Sequence, residues 1–156
     1  MTRNNFISVL RRFARESNIE LVPVGDDFFE LRLNEQLSQI TQRKTYLQVY
    51  SSADGATVGE INFSCLCGVP EGEDRRFPEP VLREILESNR GGVMGTEFYF
   101  STKVFNGHTA LFLETRQPIE PEFDEDDAIG VLIKLWMSPL FVRAWSFPVG
   151  VHNLLW

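Results

Sequence analysis

The first hydrophobic positions recur with the period of a helix. Phe6, Leu10, Phe13 and the neighbouring Ile7 and Ala14 fall on one stripe, while Arg11, Arg12, Arg15 and Glu16 lie mostly off it. Asn4 and Asn5 are candidate N-caps, and Asn18 is a candidate stop. The period then shortens to two. Ile19 to Val24 is apolar and β-branched but broken by Pro23, which suits an edge strand because proline cannot donate to a ladder. Gly25-Asp26-Asp27 turns the chain into Phe28 to Leu33, where Phe29, Leu31 and Leu33 alternate with Glu30 and Arg32. Asn34 to Gln42 is polar, with only Leu37 and Ile40 to dock it. Thr45 to Tyr50 alternates again. Asp54-Gly55 marks a hairpin, expected as a type I′ turn with positive φ at both central residues, and the returning strand runs from about Thr57 to Cys67.

After a charged, Pro- and Gly-rich loop (Gly68 to Pro80), Glu79-Pro80 opens a second helix. Its apolar face is Val81, Leu82, Ile85 and Leu86, and Asn89, Gly91 and Gly92 end it. The clearest hairpin follows: Glu97 to Phe105, then Asn106-Gly107, then His108 to Arg116. Pro118 and Pro121 close the sheet region. Asp124 to Asp127 stand where a helix start favours acids, and Ala128, Val131, Leu132, Leu135 and Trp136 carry a third helix to about Met137. The predicted order is α-β-β-β-α-β-β-α, with a fourth strand allowed before the second helix. Hairpin connections make the sheet antiparallel, so the expected class is α+β, one sheet with helices packed on one face. No repeat or linker divides the chain, and residues 1–156 read as one domain with an apolar C-terminal tail at about 140–156.

Composition agrees with a packed core. The chain has 156 residues, 43% hydrophobic, with 13 phenylalanines. The formal charge of −7 argues against nucleic acid, whose phosphates need a clustered positive face, and against anionic membranes. No apolar run reaches the length of a membrane-spanning helix, and Met1 to Arg15 lacks the apolar core of a signal peptide. The chain is therefore expected to be cytoplasmic. The net negative charge lies after residue 44, since residues 1–44 carry 6 acids and 7 bases and residues 45–156 carry 16 acids and 8 bases, and the first helix is locally basic.

Candidate chemistry is sparse. Cys65-Leu66-Cys67 lacks the second ligand pair of a zinc site. Two residues apart on a strand, the thiols share a face with Cα atoms about 7 Å apart, too far for a relaxed disulfide, so buried core cysteines are expected. There is no Gly-x-Ser-x-Gly elbow and no phosphate loop, and His108 and His152 lie far apart. Helix-start charge accounts for the acids at 124–127 without a cation. Arg11, Arg12 and Arg15 read as a solvated helix face or as a contact for an acidic partner. No cofactor, metal or catalytic residue is expected.

The tail is the anomaly. Phe141, Trp145, Phe147, Leu155 and Trp156 stand in a stretch too apolar to leave in water. It either folds back over its own domain or is buried against a second subunit or a client protein, with Trp145 and Trp156 as anchors.

The stretch Pro80-Val81-Leu82-Arg83-Glu84-Ile85-Leu86-Glu87-Ser88-Asn89, the Phe-rich hairpin from Glu97 to Leu113, Pro118 and the acid-capped third helix together resemble the YbjN-like family. Its members are regarded as bacterial sensory-transduction regulators and share the fold of class I type III secretion chaperones such as the Tir chaperone group. The resemblance covers about residues 5–137. It implies a small acidic homodimer without catalytic residues that holds a segment of a client through apolar surface. A non-enzymatic protein-binding module is therefore the expectation. The alternative is a small enzyme or ligand-binding domain with a pocket between sheet and helices, lined by Phe98, Phe100 and Phe112, with His108, Glu114 or Cys65 as polar groups.

Overall fold

The computed structural model describes residues 1–33, 44–72, 75–105, 107–139 and 147–154. Its helices are α1 (Arg3–Glu16), α2 (Glu79–Ser88) and α3 (Glu125–Met137). The strands are β1 (Ile19–Gly25), β2 (Phe28–Leu33), β3 (Thr45–Ser51), β4 (Val58–Pro70), β5 (Tyr99–Phe105), β6 (His108–Pro118) and β7 (Val151–Asn153). The expected class holds: one antiparallel sheet of seven strands, in the order β1-β2-β3-β4-β6-β5, with β7 added beside β4. The fourth strand before α2 is present and β7 is new. The polar stretch at 34–42 lies outside the described residues.

Each start and stop has a local cause. The cap of α1 is Thr2 rather than Asn4 or Asn5, and its hydroxyl accepts the Asn5 N–H. A hydroxyl one turn earlier satisfies a free helix donor that the asparagines, already inside the helix, cannot reach. The hairpin at 54–55 is also built differently from the expected type I′ turn. Gly55 alone takes positive φ, at +70°, while the Asp54 carboxylate accepts the Ala56 and Thr57 N–H groups and the Ser52 hydroxyl. An aspartate that bonds its own loop replaces the second left-handed residue. The β5–β6 hairpin keeps its expected two-residue connection, with Phe105 opposite His108.

The strand alternation divides the sheet into two faces. Leu31, Leu47, Ile61, Phe63, Cys65, Leu111 and Leu113 point to the helices, where Phe6, Leu10, Phe13, Ile85, Ala128 and Leu132 complete the main core. On this face α1 packs against α3 and β1, and α2 against β5. The other face is covered by no helix of the described residues. It carries a second, smaller cluster of Leu66, Ala110 and Phe112, against which Tyr46, Val69 and Leu154 pack. No described helix is long and apolar enough to cross a membrane.

β7 explains part of the tail. It occupies the lane beside β4 that β3 vacates, pairing Gly68 with Asn153, Val69 with His152 and Pro70 with Val151. Val151 is buried, and Phe147 is half-buried against the main core. Leu154 crosses to the smaller cluster on the second face. The described part of the tail thus folds back on its own domain.

Candidate functional site

The helix face of the sheet carries the main core and, beside α1, a cleft of about 390 Å³ lined by Arg3, Arg11, Asp27 and Phe29; a larger cavity lies on the other face. The pleat decides which side chains reach that face. One row crosses the whole sheet there: Val22, Glu30, Tyr46, Ser64, Glu114 and Tyr99, each opposite the next on the neighbouring strand. It is mostly polar, and its flanks are aromatic. Phe28 lies on one side, its ring 5.8 Å from that of Tyr46, and Phe112 lies on the other.

A cavity of about 430 Å³ opens above this row, lined by Val24, Phe28, Glu30, Tyr46, Ser64, Lys103, Val104 and Phe112. All six strands of the main path contribute. In a flat sheet, five strand spacings would hold β1 and β5 about 24 Å apart. Val24 near the end of β1 and Val104 near the end of β5 stand at opposite corners, yet they line one cavity. The twist of the strands therefore coils the sheet until both corners rise over the same face.

The charges in this cavity come as internal pairs. Glu114 is only 3% exposed; its carboxylate accepts from the Lys103 ammonium and from the Ser101 hydroxyl, the latter at 2.6 Å. Lys103 also lies 5.5 Å above the Phe112 ring, a cation–π placement. Across the floor, Glu30 pairs with Arg32 at 3.0 Å. Burial pushes the Tyr46 phenol up, and the Glu30 carboxylate adds to the shift while Arg32 opposes it, so Tyr46 stays a neutral hydroxyl. Ser64 is 7% exposed and lines the cavity, and its hydroxyl has no hydrogen-bond partner among the described residues.

The second feature is an edge. The Asn89 side chain both donates to the Phe100 carbonyl at 2.9 Å and accepts the Phe100 N–H at 2.6 Å, and Val93 N–H donates to the Phe98 carbonyl. Phe98 and Phe100 thus turn their backbone groups away from β6. By the alternation of an antiparallel ladder, Thr102 and Val104 turn theirs the same way. Asn89 stands in for a strand partner over the first half of β5. Over the second half, no described residue takes the outward groups, and Val104 is 78% exposed. The opposite edge is blunted: β1 carries Pro23, a register shift between Pro23 and Gly25, and contact with α1.

The expected residues fall into several places. Phe141, Trp145, Leu155 and Trp156 lie outside the described residues, whereas Phe147 packs within the domain's own core. Phe98 and Phe100 belong to the main core and Phe112 to the opposite face, so the three do not line one pocket. Glu114 is on the cavity face. Cys65 and Cys67 are buried on the helix face, where burial raises the Cys67 thiol well above its ordinary value. His108 begins β6 at the hairpin and His152 is exposed on β7. Asp124 and Asp127 cap each other at the start of α3, and Glu125 pairs with Arg12 of α1 at 3.0 Å. Arg12 is thus engaged within the fold. The cavity adds Ser64, Lys103 and Tyr46 to these residues. The signal for them was present in Ala110 to Leu113, a run apolar on both faces, which marks a strand whose second side is also shielded.

Fold and site together define the class: an α+β protein of one coiled antiparallel sheet, helices on one face, and a partly polar, aromatic cavity on the other. Comparison with known proteins adds no relative, since no family model, no curated protein and no solved structure matches the chain.

Proposed function

We propose that the protein is a non-enzymatic protein-binding module, chaperone-like or regulatory, that works as a homodimer and holds a segment of a client protein. The observation that carries this reading is the second half of β5. Thr102 and Val104 aim their N–H and C=O groups outward with no partner among the described residues. A strand laid there gains main-chain hydrogen bonds without any rearrangement of the sheet. The second strand is β5 of another copy, antiparallel across a two-fold axis, with Thr102 of each copy opposite Val104 of the other. Lys103 of the two copies then approach at the axis, each already neutralised by its own Glu114. Of the tail residues, Trp145 and Trp156 are the proposed client anchors, while Phe147 is engaged in the core. The resemblance to the YbjN-like and secretion-chaperone proteins supports the same reading.

Light scattering on the full chain at micromolar concentration tests it. The expected mass is twice 17.9 kDa. Thr102→Pro removes an outward N–H while leaving the β5–β6 ladder intact, and should convert the dimer to a monomer with an unchanged circular dichroism spectrum. A monomeric parent protein overturns the dimer. A dimer indifferent to Thr102→Pro overturns the β5 interface.

A further inference from the structure

We propose that the cavity on the uncovered sheet face binds a neutral aromatic small molecule of one to three rings that carries a hydroxyl or carbonyl group. The proposal rests on the cavity and does not require the dimer, although Lys103 and Val104 belong both to its lining and to the β5 edge. Its volume of about 430 Å³ lies within the range of roughly 300–1,000 Å³ typical of small-molecule sites. The walls set the body of the ligand. Phe28, Tyr46 and Phe112 offer ring faces and edges to a flat apolar molecule, and Val24 and Val104 close the two corners.

Ser64 sets the polar group. A buried hydroxyl without a partner costs free energy, and native folds leave few of them, so one that lines a cavity marks a hydrogen bond that a ligand completes. The hydroxyl can donate or accept, which suits a phenol, an alcohol or a carbonyl. The charges then exclude an ion. Glu30 is matched by Arg32 and Lys103 by Glu114, so the lining is neutral as it stands. A carboxylate or ammonium ligand would have to break one of these pairs or be buried without a counter-charge. A neutral hydroxylated ring meets no such penalty, and the free protons of the Lys103 ammonium and the spare lone pairs of Glu30 remain available to a second polar group.

Titration calorimetry with three probes reads these terms separately: 2-naphthol for the proposed class, naphthalene for apolar burial alone, and 2-naphthoate for charge. With the full chain, 2-naphthol should bind saturably at one site per chain, about three- to tenfold tighter than naphthalene, the span expected of one hydrogen bond. Ser64→Ala removes only the hydroxyl, and should erase that difference while naphthalene binds as before. Because Ser64 lies in a strand, the fold of the variant is checked by its thermal midpoint. Val24→Trp, at a half-exposed position on the cavity rim and away from β5, should weaken both neutral probes by closing the opening. The proposal fails if no probe saturates, if 2-naphthoate binds tightest, or if Ser64→Ala leaves the preference for 2-naphthol intact.

Discussion

Glu114 lies beneath a face that no described helix covers, with Lys103 and Ser101 each bonding one of its two oxygens. Removing one partner exposes the cost. Lys103→Met should destabilise the fold by about 1–3 kcal/mol in urea titrations, since it leaves a buried carboxylate with one neutral donor. The double variant Lys103→Met/Glu114→Leu should regain most of that loss, because neither charge is then stranded. A double variant as unstable as the sum of its parts would show that packing, not pairing, sets the effect. Asp54 carries the clearest pH signature. Bonds from the Ser52 hydroxyl, the Thr57 and Ala56 N–H groups and the Thr57 hydroxyl hold its carboxyl well below the usual carboxylate range. A depressed folded value means that its stabilisation is whole above the unfolded value near 3.8 and is lost as pH falls toward the folded one. Asp54→Asn should therefore lower the unfolding midpoint at pH 6, with the gap to the parent closing as the pH drops below 4. A gap that stays constant with pH would mean that the carboxylate charge is irrelevant to the turn. The sequence made the turn legible but not its wiring, because Asp-Gly predicts a reversal whether the aspartate supplies its dihedral angles or its oxygens.

Elements defined by local periodicity were the legible part of the fold. β2 matches its expected span of Phe28 to Leu33, and α2 and α3 begin and end within a residue or so of the expected positions. Local cause explains this, since proline at the start of α2 and acids at the start of α3 act within one turn. The α3 capping box is the sharpest case: Asp124 accepts the Asp127 N–H at 2.9 Å, and Asp127 accepts the Asp124 N–H at 3.1 Å. Asp124→Ala should cost about 1 kcal/mol and lower the melting temperature by about 2–4 °C for a chain of this length, read by circular dichroism. Glu125→Gln, which breaks only the exposed pair with Arg12, should cost no more than about half of that. Equal losses would mean that the inter-helix pair, not the cap, holds α3. By contrast, β7 has three residues and no period of its own. Its existence depends on the lane that β3 leaves open beside β4, a non-local fact that no window of the sequence contains. The cavity was hidden for the same reason, because its walls are brought together by the coil of the whole sheet rather than by any motif.

At the scale of the molecule, the tail is held against β4 at Gly68, a position that lacks a side chain. A Cβ on Gly68 would stand 2.7 Å from the Val151 Cγ1 and 3.3 Å from the His152 carbonyl oxygen, with the Phe147 ring at 3.6 Å. The first contact can be relieved by a side chain, but the second is backbone and cannot yield without moving the strand. Around this point the tail threads both faces: Phe147 and Val151 reach the main core, and Leu154 reaches the cluster around Phe112, which lines the cavity. Gly68→Ala should therefore loosen β7 as a unit, costing about 1–3 kcal/mol by overpacking and opening residues 147–154 to limited proteolysis while α1, α2 and α3 stay resistant. Val151→Ala added to Gly68→Ala removes the closer clash and should restore part of the protection but not all, since the carbonyl contact remains. Because Leu154 packs on the cluster that includes Phe112, a lining residue of the cavity, loosening the tail should also weaken 2-naphthol binding. If Gly68→Ala leaves the tail as resistant as in the parent chain, β4 does not hold it, and the two faces of the sheet are joined in some other way.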